Sequence, residues 1–229
     1  MARKATFLAV AAAFAMTGVA SADLLITEVV DATLAGGNPK YVEVTNTGPA
    51  PYTFADGGII VQSNANTDYN VDVDLTGVTI AVGQSYVIQS SANDGQLVFE
   101  TTYGFAADLY TTAFFGNGDD RYILTDTSAG DGSGLLDIYG ADGVDGSGEA
   151  WEYTDSYAAR VFGTSSDGGA FNIGNWIIPG PNALEDPGFD DVIEAQLIVA
   201  NTSPGVWVPE PATALLLALG GVAVLRRRS

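Results

Sequence analysis

The residues of this sequence that could do chemistry are almost all carboxylates. Asp142, Asp145 and Glu149 fall within one glycine-rich stretch, Asp142-Gly-Val-Asp-Gly-Ser-Gly-Glu149, and Asp126 and Asp131 lie shortly before it. Hard oxygen ligands on a pliable loop suit Ca2+, although the spacing departs from the EF-hand pattern. Asp and Gly also occur together because hairpin turns favour them, so the loop reads either as a calcium site or as a turn. A second row, Asn66, Asp68, Asn70, Asp72 and Asp74, alternates with Thr67, Tyr69, Val71, Val73 and Leu75. On an extended strand the row projects from one side, as a cation- or sugar-binding ladder or simply as a solvated face. Paired carboxylates can also hydrolyse glycosides, but so many are present that spacing singles out no pair. Tyr103, Phe105, Tyr110, Phe114 and Phe115 could floor a carbohydrate site or fill a core.

The absent residue types narrow the chemistry further. With no histidine, a Ser-His-Asp triad, a Cys-His pair and a His-ligated zinc site are excluded. With no cysteine there is no disulfide framework, and the core must stabilise the fold unaided. The chain carries 28 acidic against 8 basic residues, for a net charge of -20. Five of the basic residues (Arg3, Lys4, Arg226, Arg227, Arg228) stand at the two ends, which leaves Lys40, Arg121 and Arg160 for everything between. Such a surface repels phosphate backbones, so nucleic acid is not a partner unless a cation bridges the two.

The elements that must position these residues are strands. Short β-prone runs recur at Leu24–Val30, Tyr41–Asn46, Ile59–Ser63, Tyr69–Leu75, Val78–Val82, Ser85–Gln89, Tyr122–Asp126 and Leu135–Tyr139. Glycine-rich turn sequences such as Asn46-Thr-Gly-Pro49 and Gly116-Asn-Gly118 separate them. In Tyr41-Val-Glu-Val-Thr45 the alternation sets Val42 and Val44 toward a core and Glu43 toward water. No stretch before residue 185 shows a helical period. The pattern predicts an all-β fold over residues 23–178, an antiparallel β-sandwich or a small barrel. Prolines 179, 181, 187 and 204 then break up an acidic segment, so 179–207 reads as a stalk in which Asp190 to Ala200 could form either a short helix or a strand.

Both ends of the chain are built for membranes. Arg3-Lys4, an apolar run from Ala5 to Val19 and the small residues Ala20-Ser21-Ala22 make a secretory signal peptide (1–22), to be cut by signal peptidase before Asp23. At the other end (208–229), Val208-Pro209-Glu210-Pro211 leads into the uncharged run Ala212–Leu225 and then Arg226-Arg227-Arg228-Ser229. A helix opened by Pro211, with arginines held on the cytoplasmic side, is shorter than the ~20 residues that span a bilayer comfortably. It reads as a transient stop or as a short single-span anchor.

That order of Pro-Glu-Pro, apolar segment and basic end closely resembles the PEP-CTERM sorting tail of Gram-negative bacterial proteins. The resemblance implies that an exosortase-type membrane transpeptidase recognises Pro209-Glu210-Pro211, removes the apolar tail and passes the protein to the cell surface or extracellular matrix. In the region between the ends, Leu25-Ile-Thr-Glu-Val-Val30, Tyr41-Val-Glu-Val-Thr-Asn46, Leu75–Ile88, Gly116–Leu124, Leu136–Gly140, Trp151–Val161 and Phe171–Trp176 run in an order that resembles the lamin-tail domain of bacterial secreted proteins. This second resemblance implies an immunoglobulin-like sandwich that binds or spaces and carries no chemistry of its own. It departs from the family at Tyr41, where a tryptophan is usual, and no catalytic domain follows. The expectation is therefore an exported, non-enzymatic surface or matrix protein, whose partner is a polysaccharide or another surface protein. A calcium-dependent binder of acidic exopolysaccharide and a carboxylate hydrolase are the alternatives.

Overall fold

The computed structural model describes residues 24–114 and 116–207, so the signal peptide, Phe115 and the whole sorting tail lie outside the described residues. Twelve strands follow in chain order: β1 (Leu24–Leu34), β2 (Asn38–Asn46), β3 (Tyr52–Thr53), β4 (Gly58–Gln62), β5 (Val73–Asp74), β6 (Thr79–Ile80), β7 (Ser85–Ser90), β8 (Leu109–Thr111), β9 (Arg121–Thr125), β10 (Leu135–Tyr139), β11 (Ser156–Arg160) and β12 (Trp176–Ile177). Two helices join them, α1 (Gly95–Tyr103) and α2 (Asp191–Asn201). One sheet runs β12-β11-β1-β2-β7-β8, a second runs β10-β9-β4-β5, and β3 and β6 make a small ribbon.

The two larger sheets face each other as a β-sandwich. Ile26, Val42, Val44 and Ile88 from the first pack with Ile59, Leu124 and Tyr139 from the second, and Trp151, Tyr153 and Trp176 close the rim with edge-on ring contacts to Tyr139. All pairings are antiparallel except β7 with β8, which is parallel because α1 returns the chain between them and removes the need for a hairpin.

The first sheet is covered on both sides, which the sequence pattern does not reveal. On its outer face Val30, Tyr41 and Val87 pack against Phe99 of α1 and Ile198 of α2, with Leu184 between. Glu43, expected to face water, is therefore buried. The helix α1 was not expected either. Its sequence, GQLVFETTY, is rich in β-branched and aromatic residues, and only Gly95 and Phe99 are buried, so no apolar stripe announces it. It forms because Phe99 fills the second core and Gly104 ends it in the left-handed conformation (φ 78°).

The expected stalk also folds back. Asp190 caps α2 by accepting hydrogen bonds from the amides of Val192 (2.9 Å) and Ile193 (3.4 Å). Buried Glu194 accepts from the Thr33 hydroxyl at 2.6 Å, which ties the helix to β1. The segment 179–207 is thus largely part of the domain. Four prolines can lie here because they sit before and after the helix and none falls inside it.

Candidate functional site

The loops that offered carboxylates for a cation do not gather them. Asp142 is ion-paired with Arg121 and also accepts from the Tyr69 hydroxyl at 3.2 Å. Asp145 caps its own turn by accepting from the Ser147 amide at 3.0 Å, and Glu149 stands exposed. Asp131 likewise accepts from the Ser133 amide at 2.9 Å, and these local bonds hold its carboxyl below the usual range. Among the described residues no group of three or more carboxylates is placed to hold a metal ion.

The row from Asn66 to Asp74 is exposed along its length but is not one strand, since only Val73–Asp74 pairs with β4. Its members cap turns: Asn66 accepts from the amide of Asp68 (2.9 Å), Asp68 from that of Asn70 (3.1 Å) and Asp74 from that of Thr76 (2.8 Å). The aromatic residues divide as well. Phe114 belongs to the inter-sheet core, whereas Tyr103 and Phe105 pack on Phe99 with centroids 4.8 and 5.6 Å away.

The three cations of the domain are used internally. Lys40 pairs with Asp31 and donates to the Gly116 carbonyl at 2.7 Å. Arg121 donates to Gln62 (2.6 Å) as well as pairing with Asp142. Arg160 is the most enclosed: it donates to Asp137 (2.5 Å) and to the Ile26 carbonyl (2.7 Å), while its guanidinium lies 4.4 Å from the centre of the Trp176 ring. Asp137, on the opposite sheet, also accepts from the amides of Ile26 (2.8 Å) and Asp167 (2.7 Å). Burial raises its pKa to about 6 against the lowering pull of Arg160.

The arrangement that sequence reasoning missed lies under the last described residues. In β1 a bulge at Thr27 changes the register, so that Ile26 pairs with Val44 but Glu28 pairs with Glu43. Without the extra residue Glu28 would follow Ile26 into the inter-sheet core. With it, two glutamates stand directly opposite each other on the outer face, 4% and 1% exposed. Tyr41 donates to Glu28, and Thr27 donates to Glu43 at 2.6 Å. The chain following α2 closes over them: the Ser203 amide donates to Glu28 (3.2 Å) and the Gly205 amide to Glu43 (2.6 Å).

Burial, and then the charge of Glu43, push Glu28 up to about 8 despite these hydrogen bonds, so it holds its proton at neutral pH. Burial raises Glu43 as well. Two residues beyond Gly205, the Trp207 indole N–H donates to the Arg160 carbonyl at 3.3 Å, and its ring lies 4.8 Å from that of Phe162. The sequence held one sign of this site, a single acid inside each of two apolar runs, but not the helical layer that makes them buried.

Trp207 therefore fixes the point from which the remaining chain departs, and that remaining chain has a recognisable match. Residues 208–229 match the PEP-CTERM protein-sorting motif. The PEP-CTERM motif indicates a protein exported across the membrane of a Gram-negative bacterium and handed to an exosortase. It covers Val208, Pro209, Glu210, Pro211 and the arginines 226–228 named above. No curated protein and no solved structure matches the chain. Among the described residues no helix is long and apolar enough to cross a membrane. An apolar groove also lies between α1 and α2, lined by Leu34, Leu97, Val98, Val192, Ala195 and Val199 and bordered by Asp191.

Proposed function

We propose that this is a non-enzymatic protein of the cell surface or extracellular matrix, whose β-sandwich serves as a binding or structural module once an exosortase-type transpeptidase has cut at Pro209-Glu210-Pro211. The observation that carries the reading is the PEP-CTERM match at 208–229, joined directly to a folded β domain. The order of strand motifs supports a sandwich of the lamin-tail, immunoglobulin-like kind, to which the structure adds two covering helices.

The acids of the domain are engaged in holding the fold. Among the described residues, Glu28 and Glu43 are sealed beneath backbone amides, and the exposed Asp68, Asp74, Asp131 and Asp145 cap turns. Neither arrangement leaves an acid and a base facing a substrate.

Intact-mass analysis of the protein recovered from the surface of its native host tests the reading. The expected species starts at Asp23 and lacks Ala212–Ser229. Replacing Pro209, Glu210 and Pro211 together by alanine is expected to leave the chain in the membrane fraction. A surface species still ending in Arg226-Arg227-Arg228-Ser229 overturns the sorting reading in favour of a simple anchor.

A further inference from the structure

The place where the tail leaves the domain has two properties that the sorting motif does not explain. The first is that the root is pinned. Gly205 is bound to Glu43, Ser203 to Glu28 and Trp207 to the Arg160 carbonyl, so the exit point cannot swing away from the sandwich without breaking these partly buried hydrogen bonds. Only Val208 to Pro211 separate Trp207 from the apolar run that begins at Ala212. The five steps from Trp207 to Ala212 span at most ~18 Å however the chain is arranged. The polar layer on one side of a bilayer is itself roughly 5–8 Å deep. If Ala212 reaches the hydrocarbon, the surface around Trp207 is held at or just above the headgroups.

The second property is the composition of that surface. Val206, Phe162 and Ile177 are 52, 45 and 42% exposed beside Trp207, a cluster of apolar side chains open to solvent. The two hollows beside Trp207 are lined by Thr47, residues 159–165, Ile177 and residues 200–203, and none of these is an aspartate or glutamate. In a chain with 28 acidic residues, this is where carboxylates would do most harm next to anionic lipid.

We propose that the face formed by Phe162, Ile177, Val206 and Trp207 is a membrane-resting surface, which seats the uncut protein on the lipid headgroup boundary and holds Pro209-Glu210-Pro211 at the bilayer surface for cleavage. The proposal rests on the sorting reading, since it needs the tail in the membrane. A second copy of this chain is disfavoured there, because two chains that each carry a net charge of -20 repel one another.

The test uses the chain with its signal peptide removed and its tail intact, Asp23–Ser229, in vesicles of phosphatidylethanolamine and phosphatidylglycerol, some lipids carrying a nitroxide on the headgroup. Trp151 and Trp176 are buried, so headgroup quenching of tryptophan emission reports Trp207. Flotation with the vesicles, scored separately, reports whether the tail inserts. The expected result is strong quenching in the unaltered chain, its loss in Phe162→Asp/Val206→Asp, which still floats, and no change in Leu97→Asp, an exposed residue on α1. A floating chain whose Trp207 is unquenched overturns the inference while leaving the sorting reading standing. Equal quenching in the double variant overturns it too, because the tether alone would then account for proximity. Quenching that appears only when an exosortase is added assigns the face to that enzyme and overturns the lipid proposal. Failure to float removes the sorting reading and this inference together.

Discussion

Glu28 and Glu43 stand opposite each other on adjacent strands, a placement that is destabilising for two like charges and tolerable here because one carboxyl keeps its proton. The consequence for stability runs opposite to that of an ordinary salt-bridged acid. Between the unperturbed value of 4.5 and about 8, the folded Glu28 binds more proton than the unfolded one, so stability falls as the pH climbs through that window. Asp31 and Asp137, each raised to about 6, act in the same direction at the lower end of the range. We expect the melting temperature to fall by several degrees between pH 5 and pH 9. Glu28→Gln, which removes the ionisation but keeps the size, is expected to flatten the slope between pH 6 and 9. An unchanged slope in that variant, followed by differential scanning calorimetry, would show that the pair is not its source. In the sequence this pair shows only as a single acid inside each of two apolar runs, since Val42-Glu43-Val44 has the alternation of a strand with one wet face and only the second layer of helices makes both faces dry.

At the scale of elements, the sandwich is held together by more than apolar packing. Arg160 on β11 reaches Asp137 on β10 in the opposite sheet, and both side chains are completely buried. Removing one member of such a pair strands the other charge in a dry core, so Asp137→Ala is expected to cost ~3–5 kcal/mol, read as a shift in the urea midpoint. A loss below about 1 kcal/mol would mean that water reaches Arg160 in the fold. The second layer should also be cooperative with the first. Ile198→Ala, in α2, is expected to destabilise the whole domain by ~2–5 kcal/mol, since it empties a site shared by Tyr41, Phe99 and Leu184. If residues 179–207 behaved as a stalk, that change would leave the melt untouched. These elements also show which parts of the fold can be read in advance. Strands β1, β2, β4, β7, β9 and β10 are visible as alternating or wholly apolar runs, because burial writes directly into a period of two. The helix α1 is invisible, because a short helix that buries one phenylalanine leaves no period. The turn chemistry at 179–190 reads as a stalk because prolines mark irregular backbone without saying whether it is packed.

At the scale of the molecule, charge is the dominant unbalanced quantity. All the acidic residues except Glu210 lie between the two ends, and the three cations that accompany them there are each committed to a partner. The surface therefore repels itself, and any electrolyte relieves that repulsion by screening. This complicates the obvious test of the Asp142–Glu149 loop, because added calcium would stabilise the fold even without a site. Magnesium at the same concentration provides the control, since it screens equally but demands a tighter octahedral set of ligands. In this loop Asp142 is engaged by Arg121, Asp145 closes its own turn and Glu149 points to solvent, so no cage is assembled for either ion. We expect millimolar calcium and magnesium to raise the melting temperature by the same amount, and Asp145→Ala to leave that rise unaltered. A true site would behave differently, because a ligand bound only to the native state at a hundredfold excess over its Kd adds ~2.7 kcal/mol, which for a domain of this size is roughly 5–10 °C. A calcium-specific rise of that order, lost in Asp145→Ala, would show that the loop rearranges around the ion and that the surface module binds its partner through calcium.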